Sequence, residues 1–232
     1  MKSFQMGRAI FVSILLGVLT TATQAISFDD IDFWVGSGGK EAAFVVDWND
    51  GIDPVSIAWG YRWEETATGE DMLKAIVMAD PRLFAKVTTP GGFGVSLIGL
   101  GYDLDSNGFS LTDGTLFIQG LAITGGSDTA TAGDTNDHYR EGFFSAGYWS
   151  YWVGTGNPYE GGSWGFAGSG MSGRTLIDGA WDGWSWAPRF ASSVPGEPVP
   201  AEFSDGVPEP ATVALLSTGV IAVVGRRRTR VV

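Results

Sequence analysis

A chain of 232 residues, 44% hydrophobic and 17% charged, is long enough for one domain with its own core. Its net charge is -12, and the stretch 26–206 holds 8 basic against 25 acidic side chains, a net of -17, which repels phosphate backbones and excludes nucleic acid as a partner. No cysteine is present, which excludes disulfides, thiolate zinc sites and a cysteine nucleophile.

The first 25 residues carry Lys2 and Arg8, then the apolar stretch Ala9–Leu19, then small and polar residues. That is the layout of a secretory signal peptide, with cleavage expected after Ala25 and export through the Sec machinery. The apolar stretch is too short to span a bilayer on its own.

The folded part is expected over 26–187, as one α+β, mostly β domain: a single mixed or antiparallel sheet carrying one amphipathic helix. "EAAFVVDW" (41–48) and "VSIAWGYRW" (55–63) read as strands, and "NDGIDP" between them supplies the turn of a hairpin. A helix is predicted over about 69–80. Thr68 is placed to cap it with Asp71 three residues on, Met72, Ala75, Ile76 and Ala79 share a face, and Pro81 ends it. "GVSLIGLGY" (94–102), "FFSAGYWSYWVG" (143–154) and "DGWSWA" (182–187) complete the expected strands. Residues 188–206 are proline-rich and read as a linker.

Within this body, "DLDSNGFSLTDG" (103–114) places Asp103, Asp105 and Asn107 at alternate positions, with Gly108 where a calcium loop turns sharply. Asp113 is the nearest further oxygen ligand, no Glu stands at the twelfth position, and the motif follows a strand. An Asx-rich turn and a Ca2+ site are both open readings. "DWNDGIDP" (47–54), with Asp47, Asn49, Asp50 and Asp53, reads first as a turn. Ten tryptophans lie in the body; Trp149, Trp152, Trp181 and Trp184 are candidate stacking residues for a glycan such as an exopolysaccharide, against a role as core rings. His138 is the only histidine, so a hydrolase is the third reading and a non-catalytic body the expected one.

At the C-terminal side, Val207-Pro208-Glu209-Pro210 precedes an uncharged stretch over 211–224 and the basic run Arg226, Arg227, Arg228, with Arg230 beyond. A helix over 211–224 would be roughly 21 Å long, marginal for crossing a membrane, with the arginines on the cytoplasmic side. These parts, in this order, resemble the PEP-CTERM sorting signal over 207–232. The resemblance implies a Gram-negative envelope protein recognised at Pro208, Glu209 and Pro210 by an exosortase-like enzyme. It also implies transient anchoring in the inner membrane, then residence at the cell surface or in the extracellular matrix. A second resemblance, in the body, is to the C-terminal β-grasp domain of cobalamin transporters. It rests on Trp149, Tyr151 and Val153, followed by Asp178-Gly179 and Trp184, with Ala180 and Trp181 intervening, and implies a small mixed sheet.

Overall fold

Two runs dense in β-branched and aromatic residues, 40–47 and 56–63, pair as a hairpin, and the rest of the fold packs around them. The computed structural model describes residues 25–203 apart from 93, 125–128 and 144. The predicted signal peptide and its cleavage site at Ala25, the sorting signal and both terminal apolar helices (9–19 and 211–224) fall outside it, save Ala25 itself. Among the described residues no helix is long and apolar enough to cross a membrane.

In chain order the elements are β1 (Trp34–Gly36), β2 (Lys40–Asp47), β3 (Ser56–Trp63), α1 (Gly69–Ala79), β4 (Leu83–Val87), β5 (Leu97–Tyr102), β6 (Leu121–Ile123), β7 (His138–Glu141), β8 (Gly147–Thr155), β9 (Ser163–Phe166), β10 (Ala180–Pro188) and β11 (Val199–Pro200). The mostly β reading with one helix holds. The expected single sheet is corrected to two: a seven-stranded sheet ordered β1-β3-β2-β10-β8-β9, with β11 also on β3, and a four-stranded sheet ordered β6-β4-β5-β7. The hairpin of β2 and β3 is antiparallel, and β10 returns to lie parallel to β2.

The large sheet is buried on both faces, which is why β2 reads as a continuous apolar run rather than an alternating one. One face carries Phe44, Val46, Trp59, Trp184 and Trp186 against α1 and the inner side of the small sheet. The other carries Ala43, Val45, Ala58 and Trp181 under Ile26 and Ile31. Tryptophans along β10 therefore reach separate cores, Trp184 and Trp186 on one face and Trp181 on the other.

Helix α1 begins at the expected cap. The Thr68 hydroxyl accepts from the Asp71 backbone N–H at 3.2 Å, and the Asp71 carboxylate accepts from the Thr68 N–H at 2.9 Å. Its buried side is Met72, Leu73, Ile76 and Val77, turned from the predicted face because Leu and Val remove more apolar area from water than Ala75 and Ala79.

The small sheet has its own outer layer. A Cβ at Gly99 would lie 2.6 Å from the Tyr139 hydroxyl, and one at Gly101 would lie 2.2 Å from the Phe109 ring, so the two glycines let those rings lie across β5. Beneath this layer Lys86 is 1% exposed, its ammonium donating to Glu141 at 2.7 Å and to Asp113 at 2.9 Å. Glu141 also accepts from the Tyr139 hydroxyl and from the backbone N–H groups of Thr129 and Ala130.

The segment read as a linker, 188–206, supplies β11 and buries Pro195, Pro198 and Ala201. Pro200 can sit in a strand because β11 is at the sheet edge, where a missing N–H breaks no ladder.

Candidate functional site

Two places in the body concentrate chemistry. The first is where the turn after β5 meets the turn before β7. A carboxylate oxygen from each of Asp103, Asp105 and Asp137 lies within 4.8 Å of the other two. Asp103 leaves β5 buried, its oxygens accepting from the N–H groups of Asn107 (3.2 Å) and Gly108 (2.9 Å). Asp105 is exposed and accepts from the Asn107 side-chain amide at 2.8 Å. The same amide donates to Asp134 at 3.0 Å, which ties the two turns together. Ser106 (φ 58°) and Gly108 (φ 114°) take left-handed conformations that curl the loop, as the Asn-Gly pair suggests.

Asp137 is 3% exposed. Its Oδ1 accepts from the Leu104 N–H at 3.1 Å, and its Oδ2 is buried with no hydrogen-bond partner. Burial, together with the negative charges of Asp103, Asp134 and Asp105, pushes its carboxyl up to about 6.

Of the four sequence candidates, the structure brings Asp103, Asp105 and Asn107 together. It sends Asp113 elsewhere: against the pull of burial, the Lys86 ammonium and Thr115 hold that carboxyl at about 2. Asp137 was the missed member, and Asp134, which holds Asn107, the missed support. Their only signal was a second Asx-rich turn, "GDTNDH" (133–138), just before a strand.

The other acidic set behaves as a turn. Asp47 accepts from the N–H groups of Asn49 and Gly196, both at 2.8 Å. Asp50 faces His138 Nδ1 at 3.0 Å, while His138 Nε2 lies 3.0 Å from the Pro54 carbonyl. The His138 ring is fully buried and stacks on Trp48 at 4.4 Å. Both its nitrogens are engaged by structural partners.

The second place is a cleft of about 720 Å³ between β8, residues 95–97 and the turn 166–171. Its floor holds the stacked pair Tyr151 and Trp184, with ring centroids 4.3 Å apart and planes within 5°. Trp149 lines it beside Tyr148, and Phe143, Phe166 and Phe190 stand exposed at its rim. The four candidate stacking tryptophans do not share one surface. Trp149 and Trp184 line the cleft from one sheet face, Trp181 is in the core of the opposite face, and the half-buried Trp152 packs edge-on against Phe166. None of the ten tryptophans is exposed.

The Asp182 carboxylate, fully buried behind the cleft floor, accepts from Arg174 Nη2 at 3.0 Å, from Arg174 Nε at 3.3 Å and from the Tyr151 hydroxyl. This fixes the Tyr151 ring and clamps the 170–174 turn to β10. This clamp left no visible signal in the sequence, because Arg174 stands in an unremarkable Ser-Gly-Arg-Thr stretch.

Residues 206–228 match the family described as the PEP-CTERM protein-sorting motif. No curated protein and no solved structure matches the chain. The motif marks an exported protein that is transiently membrane-anchored and sorted by an exosortase.

Proposed function

We propose that this exosortase substrate is an envelope protein of a Gram-negative bacterium whose body is a non-catalytic module of the cell surface or extracellular matrix. The observation that carries the reading is the sorting motif at 206–228, which begins directly after a folded body whose described part closes at residue 203. A non-catalytic body is supported by the sealed His138, whose two ring nitrogens are held by Asp50 and Pro54. Sec export and removal of 1–25 precede sorting. Pro208, Glu209 and Pro210 are the recognition element, and Arg226, Arg227 and Arg228 hold the cytoplasmic side until cleavage.

Intact-mass spectrometry of the protein from its native envelope tests this. The expected mature mass lacks residues 1–25 and ends near Pro208–Pro210, and alanine at Pro208, Glu209 and Pro210 together leaves the C-terminal side uncut. A mature form that keeps Arg226–Arg228 on a membrane-bound chain overturns it.

The cleft favours one second reading, a glycan-binding module. Half-buried Tyr148 and the exposed Phe143, Phe166 and Phe190 border a space wide enough for a sugar ring, above the buried Trp149 and Trp184. Titration with the host's own exopolysaccharide, read by tryptophan fluorescence, is expected to give a saturable change that Phe166→Ala or Phe190→Ala weakens by about tenfold, the loss of roughly 1.4 kcal/mol. Either substitution is at an exposed side chain, so the fold is spared. No saturable change removes this reading and leaves the sorting assignment intact.

A further inference from the structure

We infer that Asp103, Asp105 and Asp137 bind a Ca2+ ion that ties the turn after β5 to the turn before β7. This site is independent of the sorting motif and of the cleft. Three carboxylates from two turns bring ligand oxygens within 4.8 Å of one another. An acidic cluster alone would be a solvated turn, but Asp137 is not solvated. It is 3% exposed and its Oδ2 has no donor, in a structure where buried polar oxygens otherwise find partners. A buried carboxylate oxygen without a donor is costly, and Asp103, Asp134 and Asp105 add like charge around it. A cation at this point supplies the missing partner to Oδ2 and relieves the repulsion at once.

The donor chemistry selects the ion. All ligands are hard oxygens, with no imidazole or thiolate among them, which disfavours zinc, copper and nickel. Calcium accepts six to eight oxygens in irregular geometry from flexible loops, whereas magnesium demands a tighter octahedron and keeps most of its waters. Asp134 lies outside the ring and positions Asn107 through its side-chain amide. Sites of this kind in extracellular modules bind at about 10⁻⁴–10⁻³ M, a range suited to an exported protein.

The test is thermal unfolding of the full chain in detergent, stripped of metal and then given CaCl2 or MgCl2 at matched ionic strength. At a hundredfold excess over the dissociation constant, calcium is expected to raise Tm by about 5–10 °C. Asp137→Asn should abolish the rise. Asp105→Asn, at an exposed position that leaves folding intact, should weaken calcium binding by at least tenfold in calorimetric titration. Asp113→Asn should keep the full rise, because Asp113 belongs to Lys86. No rise in the parent chain overturns the site, as does an equal rise with magnesium, or one retained in both Asp137→Asn and Asp105→Asn.

Discussion

Replacing Lys86 with Met is expected to lower stability by about 3–5 kcal/mol, because it strips a buried carboxylate of its charge partner rather than merely removing a contact. Glu141 is 4% exposed and Lys86 is 1% exposed, so neither can turn to water when the other is lost. For a body of this size the loss is a fall in Tm of about 6–20 °C. Lys86→Met combined with Glu141→Gln should recover at least half of it. Glutamine removes the stranded charge yet keeps an oxygen for the N–H groups of Thr129 and Ala130. If the double variant is no more stable than the single one, packing of the lysine stem dominates, and the charge argument is wrong.

The same group sets the acid limb. Burial works against ionisation of Glu141 and Asp113, but Lys86 and their other donors prevail and both carboxyls are depressed, Asp113 to about 2. A depressed folded-state value stabilises the protein above the ordinary carboxylate range near 4, and that stabilisation is lost as the pH falls through about 2. Lys86→Met should flatten the stability profile between those values. A denaturant midpoint recorded at pH 7, 4 and 2.5 reads both effects.

Arg174→Ala is the second large effect, at about 3 kcal/mol. It leaves the fully buried Asp182 with the Tyr151 hydroxyl as its remaining side-chain donor. The backbone carbonyl of Arg174 accepts from Gly69 N–H at α1's start and survives the substitution, so the loss falls on the side-chain bonds to Asp182 on β10. Asp182→Asn should be milder than Arg174→Ala, since it removes the charge and keeps an acceptor for Tyr151. Urea unfolding with unchanged slope would place both losses in the folded state. Equal stability for Arg174→Ala and the parent would mean the guanidinium is solvent-screened despite its two bonds to Asp182.

What could be read from the chain depended on how local each signal was. The cap at Thr68, the hairpin of β2 and β3 and the long aromatic strands β8 and β10 announce themselves within a dozen residues. The sorting motif is linear and was legible in full. The strands that went unread are mostly short, such as β1 (Trp34–Gly36), β6 (Leu121–Ile123) and β11 (Val199–Pro200), and exist only because a longer neighbour offers an edge. Parallel pairing of β10 with β2 leaves no local trace. The aspartate ring was half visible: the 103–107 spacing is local, but Asp137 joins it from 33 residues beyond Leu104, to which it bonds. Asp113 looked equivalent to the others on paper, and only the position of Lys86 across β4 and β5 distinguishes it.

The short strand β11 changes the mechanical meaning of the segment that leads to the sorting motif. As a free tether, residues 188–208 would have let the body stand up to about 70 Å from the sorting motif. With Val199 and Pro200 stitched to β3 and Ala201 buried, only the stretch after Ala201 is left before Pro208, a reach of about 25 Å at full extension. While the motif is held at the membrane, that reach is the farthest Ala201 can stand from Pro208. Peeling two residues from the sheet edge is the smallest motion that lengthens the leash.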